Sequence, residues 1–358
     1  MAPIRVLVVD DSAVARRLVC DALATDPSIA VAGTASNGRL ALAKLPQLNP
    51  DVVTLDVEMP EMDGLATLVA LRKTYPKLPV IMFSSITERG AAATLDAIAR
   101  GANDYVTKPS GAGGIEGARR HIATELVPRI KAFAKRNQIV GEPAPAASRP
   151  LRQGPLIHSP IDVLCIGVST GGPNALAELI PALPKELPVP VLIVQHMPPV
   201  FTRLLADRLD GTSKLEVREC QGEEILRPGF VYIARGDHHM RVVGSRGEVR
   251  LKTDQAPPEN SCRPAVDVLF RSASEVFGAG VLAAVLTGMG QDGLRGGELI
   301  RERGGRLFAQ DQATSVVWGM PGAVARAGIA EKILPLGELA GELTNCINSK
   351  RSTWWSRS

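Results

Sequence analysis

Ser169, His196 and Asp292 are a hydroxyl, an imidazole and a carboxylate, and each follows an apolar run and precedes a helical pattern. The runs are Val163–Val168, Val189–Val194 and Val281–Leu286. A serine hydroxyl is a weak nucleophile until a base takes its proton, and an imidazole near neutrality is suited to do so. A buried carboxylate fixes the imidazole's tautomer and stabilises its cation. If the three strands are neighbours, the three side chains meet at one sheet edge and form the constellation that acyl transfer needs. Gly167-Val-Ser-Thr-Gly171 fits the G-x-S-x-G pattern of a serine on a strand-to-helix turn, and Pro173 is placed to open the helix. The order Ser…His…Asp differs from the Ser…Asp…His of α/β-hydrolases, so the motif does not import that fold.

Each of these residues also has a plainer role open to it. Taken alone, Ser169 reads first as a capping serine in a tight turn, Asp292 at least as readily as a helix N-cap, and His196 can be a satisfied strand-end histidine. His238-His239 offers competing imidazoles, but no carboxylate or cysteine stands at ligand spacing from it. Asn260-Ser-Cys262 fails as a glycosylation acceptor, because its third residue is neither Ser nor Thr. Gly167–Gly172 lacks the G-x-G-x-x-G spacing and a P-loop lysine, which disfavours a nucleotide site.

A second group of polar residues lies at the start of the chain. Asp10 and Asp11 follow the run Ile4–Val9, Asp56 ends Val52–Leu55, Ser84 and Ser85 follow Pro79–Phe83, and Lys108 follows Asp104–Val106. With Ile29–Ala35, five strand-like runs alternate with helical patterns, which predicts a doubly wound parallel sheet. The ends of parallel strands share an edge, so three carboxylates, a hydroxyl and an ammonium converge there. Clustered carboxylates repel one another unless a cation joins them, and hard oxygen ligands suit Mg²⁺. An aspartate held beside Mg²⁺ and a lysine is a phosphoryl acceptor by its chemistry.

These patterns divide the chain into a first domain over residues 1–137, a linker over 138–160, a second domain over 161–348 and a tail over 349–358. The linker is rich in Pro, Ala, Gly and Ser, and its five prolines rule out a continuous helix. The second domain reads as another doubly wound α/β unit. Short alternating runs between Lys214 and Lys252 predict an antiparallel insertion with hairpins, including a turn at Gly244–Gly247. Pro264 opens an amphipathic helix. The tail carries Trp354-Trp355 in a polar setting and reads as a disordered end.

Composition narrows the class. At 358 residues the chain is long enough for two cores, and 45% hydrophobic with 22% charged residues is ordinary for a globular protein. Forty-one basic against 37 acidic residues give a net charge of +4, too small an excess to argue for nucleic acid. Five scattered cysteines without a C-x-x-C read as reduced thiols, not as a disulfide frame or a zinc site. The N-terminus has acids where a signal peptide needs an apolar core, and no run is long enough to span a membrane. A cytoplasmic protein with no membrane insertion is expected.

The first 137 residues resemble the receiver domain of two-component response regulators. That resemblance implies a flavodoxin-like fold, phosphorylation of Asp56 by a histidine kinase, and Mg²⁺ held by Asp10, Asp11, Asp56 and the backbone carbonyl of Glu58. It also implies Ser84 as the switch hydroxyl, where many receivers have Thr, with Tyr105 as the switch aromatic and Lys108 as the phosphate-pairing lysine. With a receiver ahead of them, the segments GVSTGGPNAL, VQHMPPVFT, SCRPAVDVLF, LTGMGQDG and QDQATSVVWGMPGAV resemble the catalytic domain of chemotaxis protein-glutamate methylesterases (CheB type). This second resemblance implies hydrolysis of glutamate methyl esters, and deamidation of glutamines, on methyl-accepting chemotaxis receptors. Ser169 would be the nucleophile, His196 the general base and acid, and Asp292 the orienting carboxylate. Thr170 and Met289 would support the site and the oxyanion, with no cofactor for the esterase. The competing expectation, a response regulator whose output domain only binds a partner or nucleic acid, is separated from it by methanol release from methylated receptors.

Overall fold

A computed structural model of the chain describes all residues except 1, 110–113, 139–158, 246–247, 351, 353 and 356–358, together with the side chains of 135–138. The linker expected over 138–160 lies mostly outside the described residues. The chain divides into two compact units, Met1–Pro143 and Ala144–Ser358.

In the first unit β1 (Ile4–Val9), α1 (Ala13–Leu23), β2 (Ile29–Ala35), α2 (Gly38–Leu48), β3 (Val52–Asp56), α3 (Gly64–Thr74), β4 (Val80–Ser84), α4 (Glu88–Ala99), β5 (Asp104–Thr107) and α5 (Gly114–Gln138) alternate along the chain. The strands form one sheet in the order β2-β1-β3-β4-β5, with β1 parallel to both β2 and β3. Helices on both faces bury the strands, so β1, β3 and β4 read as near-continuous apolar runs. Short polar side chains start the helices: the oxygens of Ser12, Asn37, Asp63 and Thr87 each accept an amide of the first turn that follows. The reversal of order at β1 and β3 opens the crevice at their carboxyl ends where Asp10, Asp11 and Asp56 stand.

The second unit runs β6 (Val163–Val168), α6 (Gly172–Ala182), β7 (Val191–Gln195), α7 (Phe201–Asp210), β8 (Glu216–Glu219), β9 (Phe230–Ile233), β10 (His239–Ser245), β11 (Glu248–Asp254), α8 (Val266–Phe277), β12 (Val281–Val285), α9 (Leu294–Glu302), β13 (Arg306–Gln310), α10 (Met320–Arg326), β14 (Lys332–Leu334) and α11 (Leu336–Asn348). Seven of these strands form a parallel sheet in the order β14-β13-β12-β6-β7-β9-β8. β6 sits at its centre, paired with β12 on one side and β7 on the other. The chain leaves β6 in one direction for β7 and returns on the other side at β12, which makes the carboxyl end of β6 the switch point.

The antiparallel element is smaller than the alternation between 214 and 252 suggests. Among the described strands β10 and β11 alone pair antiparallel, with an isolated antiparallel bridge from Ile225 to Arg250, and residues 246–247 of the β10–β11 connection are outside the described set. β8 and β9 extend the parallel sheet instead. β8 is an edge strand with alternating exposure, and that half-buried pattern looks the same in a parallel edge as in a hairpin. The helix α10, opened by Met320-Pro321, has no counterpart in the sequence reading.

The tail is not a loose end where it is described. Trp354 and Trp355 pack on Phe277 with ring centroids 4.8 and 6.2 Å away. Trp355 Nε1 donates to the Asp162 carbonyl at 2.8 Å, and Ser352 Oγ donates to the Asp162 carboxylate at 2.6 Å. Two indoles supply apolar area, and the buried Asp162 supplies the acceptors that fix them.

Candidate active site

In the second unit the three strand ends place Ser169, His196 and Asp292 side by side. Val168 is in register with Gln195, and the His196 amide donates to the Val168 carbonyl at 3.2 Å, which sets His196 next to Ser169. On the other flank the Ser169 amide donates to the Thr287 carbonyl at 3.0 Å. The buried Gln195 ties the two neighbours further, its Nε2 donating to the carbonyls of Ser169 (3.0 Å) and His196 (3.2 Å). Gly288 admits the serine closely, because a Cβ there would lie 2.9 Å from that of Ser169.

His196 Nε2 lies 2.8 Å from Asp292 Oδ2, while Nδ1 lies 3.5 Å from Cys262 Sγ. The imidazole is 12% and the carboxylate 2% exposed. Burial opposes charge on His196, but the hydrogen bonds to Asp292 and then Cys262 outweigh it, so the imidazole holds its proton above the ordinary range. Burial likewise pushes Asp292 up, and the His196 contact reverses this and keeps the carboxyl below its usual range. The hydroxyl of Ser169 is half-buried and makes no hydrogen bond to His196 among the described residues.

Asp292 is no mere helix cap, since it serves the imidazole and the start of α8 together. Its Oδ2 also accepts the Val266 amide (2.6 Å), and its Oδ1 accepts the Asp267 amide (3.0 Å) and Asn260 Nδ2 (2.8 Å). His196, Cys262 and Asp292 are metal-ligating types with ligand atoms within 4.8 Å of one another. With both oxygens of Asp292 filled by donors, the cluster is a hydrogen-bonded network that offers a metal little. His239, one of the competing imidazoles, is buried: Nδ1 accepts the Ala265 amide at 3.2 Å, and Nε2 lies 3.1 Å from the Pro257 carbonyl. It holds the 257–265 segment in place.

Sequence reasoning misses Cys262, Asn260 and Asp267. Cys262 meets His196 across 66 positions, and Asn260 meets Asp292 across 32, separations that no local pattern encodes.

In the first unit, Asp10, Asp11 and Asp56 offer oxygens within 4.8 Å of one another, with Asp10 and Asp56 buried. Lys108 Nζ reaches Asp56 Oδ2 at 2.8 Å and Asp10 Oδ2 at 3.1 Å, as ion pairs without directed hydrogen bonds to those oxygens. Burial, opposed by Lys108 and reinforced by Asp10, lifts the Asp56 carboxyl to about 6. One ammonium against three carboxylates leaves excess negative charge and two buried oxygens without hydrogen-bond partners, a donor set that fits a hard divalent cation. Ser84 Oγ lies 3.1 Å from the Gly90 carbonyl and 3.2 Å from that of Ser85, either of which can take its one proton, and the Lys108 amide donates to the Ser84 carbonyl at 2.7 Å. Tyr105 is buried on β5, and Glu58 donates its amide toward Asp56 Oδ1 at 3.4 Å.

Comparison with known proteins settles the kinship. Residues 164–343 match the family model of the CheB methylesterase, and residues 6–118 that of the response regulator receiver domain. The chain is 54% identical over 358 residues to the protein-glutamate methylesterase/protein-glutamine glutaminase of Nocardioides sp., covering 98% of this chain and 97% of that one. The chain belongs to the protein-glutamate methylesterase/protein-glutamine glutaminase family. A second member, from Trichodesmium erythraeum, is 50% identical over 96% of this chain and 99% of its own. The crystal structure of the Thermotoga maritima CheB methylesterase catalytic domain superposes with a TM-score of 0.51 at 43% identity, covering 52% of this chain and 99% of that chain. The two doubly wound sheets expected from the sequence are present, and the expected antiparallel insertion is present as the β10–β11 pair. Among the described residues no helix is long and apolar enough to cross a membrane.

Proposed function

We propose that this methylesterase-family chain hydrolyses methyl esters of glutamate, and deamidates glutamine, on chemoreceptors, under control of phosphorylation at Asp56. The observation that carries the proposal is the His196 Nε2–Asp292 Oδ2 contact of 2.8 Å beside Ser169 at the central switch point. With Nε2 committed to Asp292, Nδ1 is the nitrogen that takes the Ser169 proton. Oγ then attacks the ester carbonyl, and Asp292 steadies the imidazolium. Negative charge develops on the carbonyl oxygen, beside the amides of Thr170 and Met289. Neither amide donates to another group among the described residues, and the Thr170 hydroxyl is buried without a partner. Collapse passes the proton from His196 to the leaving methanol, or to ammonia from a glutamine. A water activated by the same nitrogen then releases the glutamate and restores Ser169.

In the first unit Asp56 Oδ is the acceptor for a phosphoryl group from a histidine kinase. Asp10, Asp11 and Asp56, with the Glu58 carbonyl, would hold Mg²⁺, which shields the charge between acceptor and phosphoryl oxygens when bound. Lys108 pairs with the phosphoryl oxygens in place of the carboxylates it now meets. Ser84 exchanges its bond to Gly90 or Ser85 for the new oxygens, while Tyr105, already buried, fills the space beside it.

The test is methanol release from methylated receptor membranes, with and without a small phosphodonor. Release by the wild type and none by Ser169→Ala supports this reading. Equal release by both assigns the chemistry elsewhere.

A further inference from the structure

We propose that Asn260 and Asp267 are positioning residues of the triad: Asn260 lends one amide N–H to each of two adjacent buried carboxylates, so that Asp267 can stand beside Asp292 without drawing it off His196. The proposal rests on the triad reading above and extends it to residues that touch neither the serine nor the imidazole.

Asp292 and Asp267 cap each other's helices. Asp292 accepts the first two amides of α8, from Val266 at 2.6 Å and Asp267 at 3.0 Å. Asp267 Oδ1 accepts the amides that open α9, from Gly293 at 3.0 Å and Gly296 at 2.7 Å. Helix N-termini favour negative charge, which explains why two carboxylates share this corner. Gly296 permits the approach, since a Cβ there would fall 3.0 Å from the Asp267 carbonyl oxygen. The arrangement has a cost. Both carboxylates are buried, at 1 and 2% exposure, and burial together with the Asp292 charge pushes the Asp267 carboxyl above its ordinary range.

Asn260 relieves that repulsion. Its Nδ2 donates to Asp267 Oδ2 at 2.8 Å and to Asp292 Oδ1 at 2.8 Å. A primary amide has two N–H groups on one nitrogen, so one side chain can serve both carboxylates at once; a hydroxyl, with one proton, cannot. The backbone is bent to deliver it. Asn260 and Ser261 both have left-handed φ, 53° and 62°, in a two-residue turn closed by Glu259–Cys262 bonds of 3.1 and 2.9 Å. Non-glycine residues hold that conformation at a cost, and strain of this kind gathers where a side chain must be aimed. The turn is fixed from behind by Glu259, whose carboxylate receives Arg271 at 2.7 Å. From its far end it presents Cys262 to His196 Nδ1. Four residues of turn therefore bear on both the carboxylate and the imidazole of the triad.

The experiment compares Asn260→Ala, Asn260→Ser and Ser169→Ala with the wild type in the full chain. It measures steady-state hydrolysis of 4-nitrophenyl acetate, thermal unfolding, and the low-field proton resonance of the His196–Asp292 hydrogen bond. For Asn260→Ala we expect kcat to fall about 10- to 100-fold with KM within about 2-fold, and the low-field proton to shift or exchange away. Asn260→Ser, serving one carboxylate only, should fall between, and it decides the matter if the alanine variant does not fold. A folded variant with wild-type kcat and an unchanged low-field proton overturns the proposal, as does a drop in melting temperature alone. Ser169→Ala should lose hydrolysis and keep the resonance. Hydrolysis surviving in Ser169→Ala would instead remove the triad reading, while the resonance still reports whether Asn260 holds Asp292.

Discussion

His196 turns Nε2 toward Asp292, at 2.8 Å, and leaves Nδ1, which lies 3.5 Å from Cys262 Sγ, as the ring nitrogen not engaged by the carboxylate. Asp292 raises the affinity of that ring for a proton, and a base must first be unprotonated to act. The rising limb of kcat/KM against pH should therefore lie above the ordinary histidine range. Asp292→Asn removes the charge that raises it, so the limb should move to lower pH. The same change lowers kcat by about 10,000-fold, as loss of the orienting carboxylate does in serine proteases. A limb that stays in place in Asp292→Asn would detach the carboxylate from the base.

Ser169→Ala should leave the melting temperature within about 2 °C, because the hydroxyl makes no hydrogen bond among the described residues that folding would miss. Hydrolysis of any ester should fall to background. His196→Ala should be comparably inactive, and the double variant no worse, since triad members act as a unit. Additive losses would argue against a shared step.

Cys262 sits where the base must work. Of the five cysteines only Cys20 and Cys262 escape full burial, and Cys20 belongs to the other unit. Iodoacetamide should inactivate the esterase in step with alkylation of Cys262, because the adduct occupies the space before His196 Nδ1. Cys262→Ala should keep at least about a tenth of wild-type activity, losing one weak contact, and resist the reagent. Inactivation of Cys262→Ala at the wild-type rate would place the sensitive group elsewhere.

The sequence carried the strands, because buried parallel strands leave unbroken apolar runs, and it carried the polar residues that end them. Ser169, His196 and Asp292 were legible for that reason, as were Asp10, Asp56 and Lys108. What it hid was long-range pairing: the Asn260 amide between two carboxylates, Cys262 against the imidazole, and Trp355 on the Asp162 carbonyl, 193 positions away. Edge strand β8 alternates as a hairpin strand would, and the seven residues of α10, opened by Met320-Pro321, are too short to show a helical period. The substrate is legible only through kinship, since a triad specifies acyl transfer and nothing about what is acylated.

Asp56 gives the receiver a pH dependence with a definite sign. Its carboxyl is raised to about 6, so the folded state favours the protonated form. Stability from this group is present at low pH and is lost as pH rises from the unfolded carboxyl range through about 6. Mg²⁺ needs the ionised carboxylates, so millimolar MgCl2 should raise the melting temperature more at pH 7 than at pH 5. Asp56→Asn should stabilise the metal-free protein at pH 7, shrink the Mg²⁺ effect and abolish acid-labile phosphorylation by acetyl phosphate. Equal Mg²⁺ shifts at both pH values would contradict the assigned ligands.

The most direct measurement is volatile methanol released from membranes whose receptors carry labelled methyl esters, using the full chain with Mg²⁺ and acetyl phosphate. The account predicts rapid release by the wild type, slower release by Asp56→Asn, and none above background by Ser169→Ala. Release from Ser169→Ala at the wild-type rate, or no release from a folded, phosphorylated wild type, would contradict it.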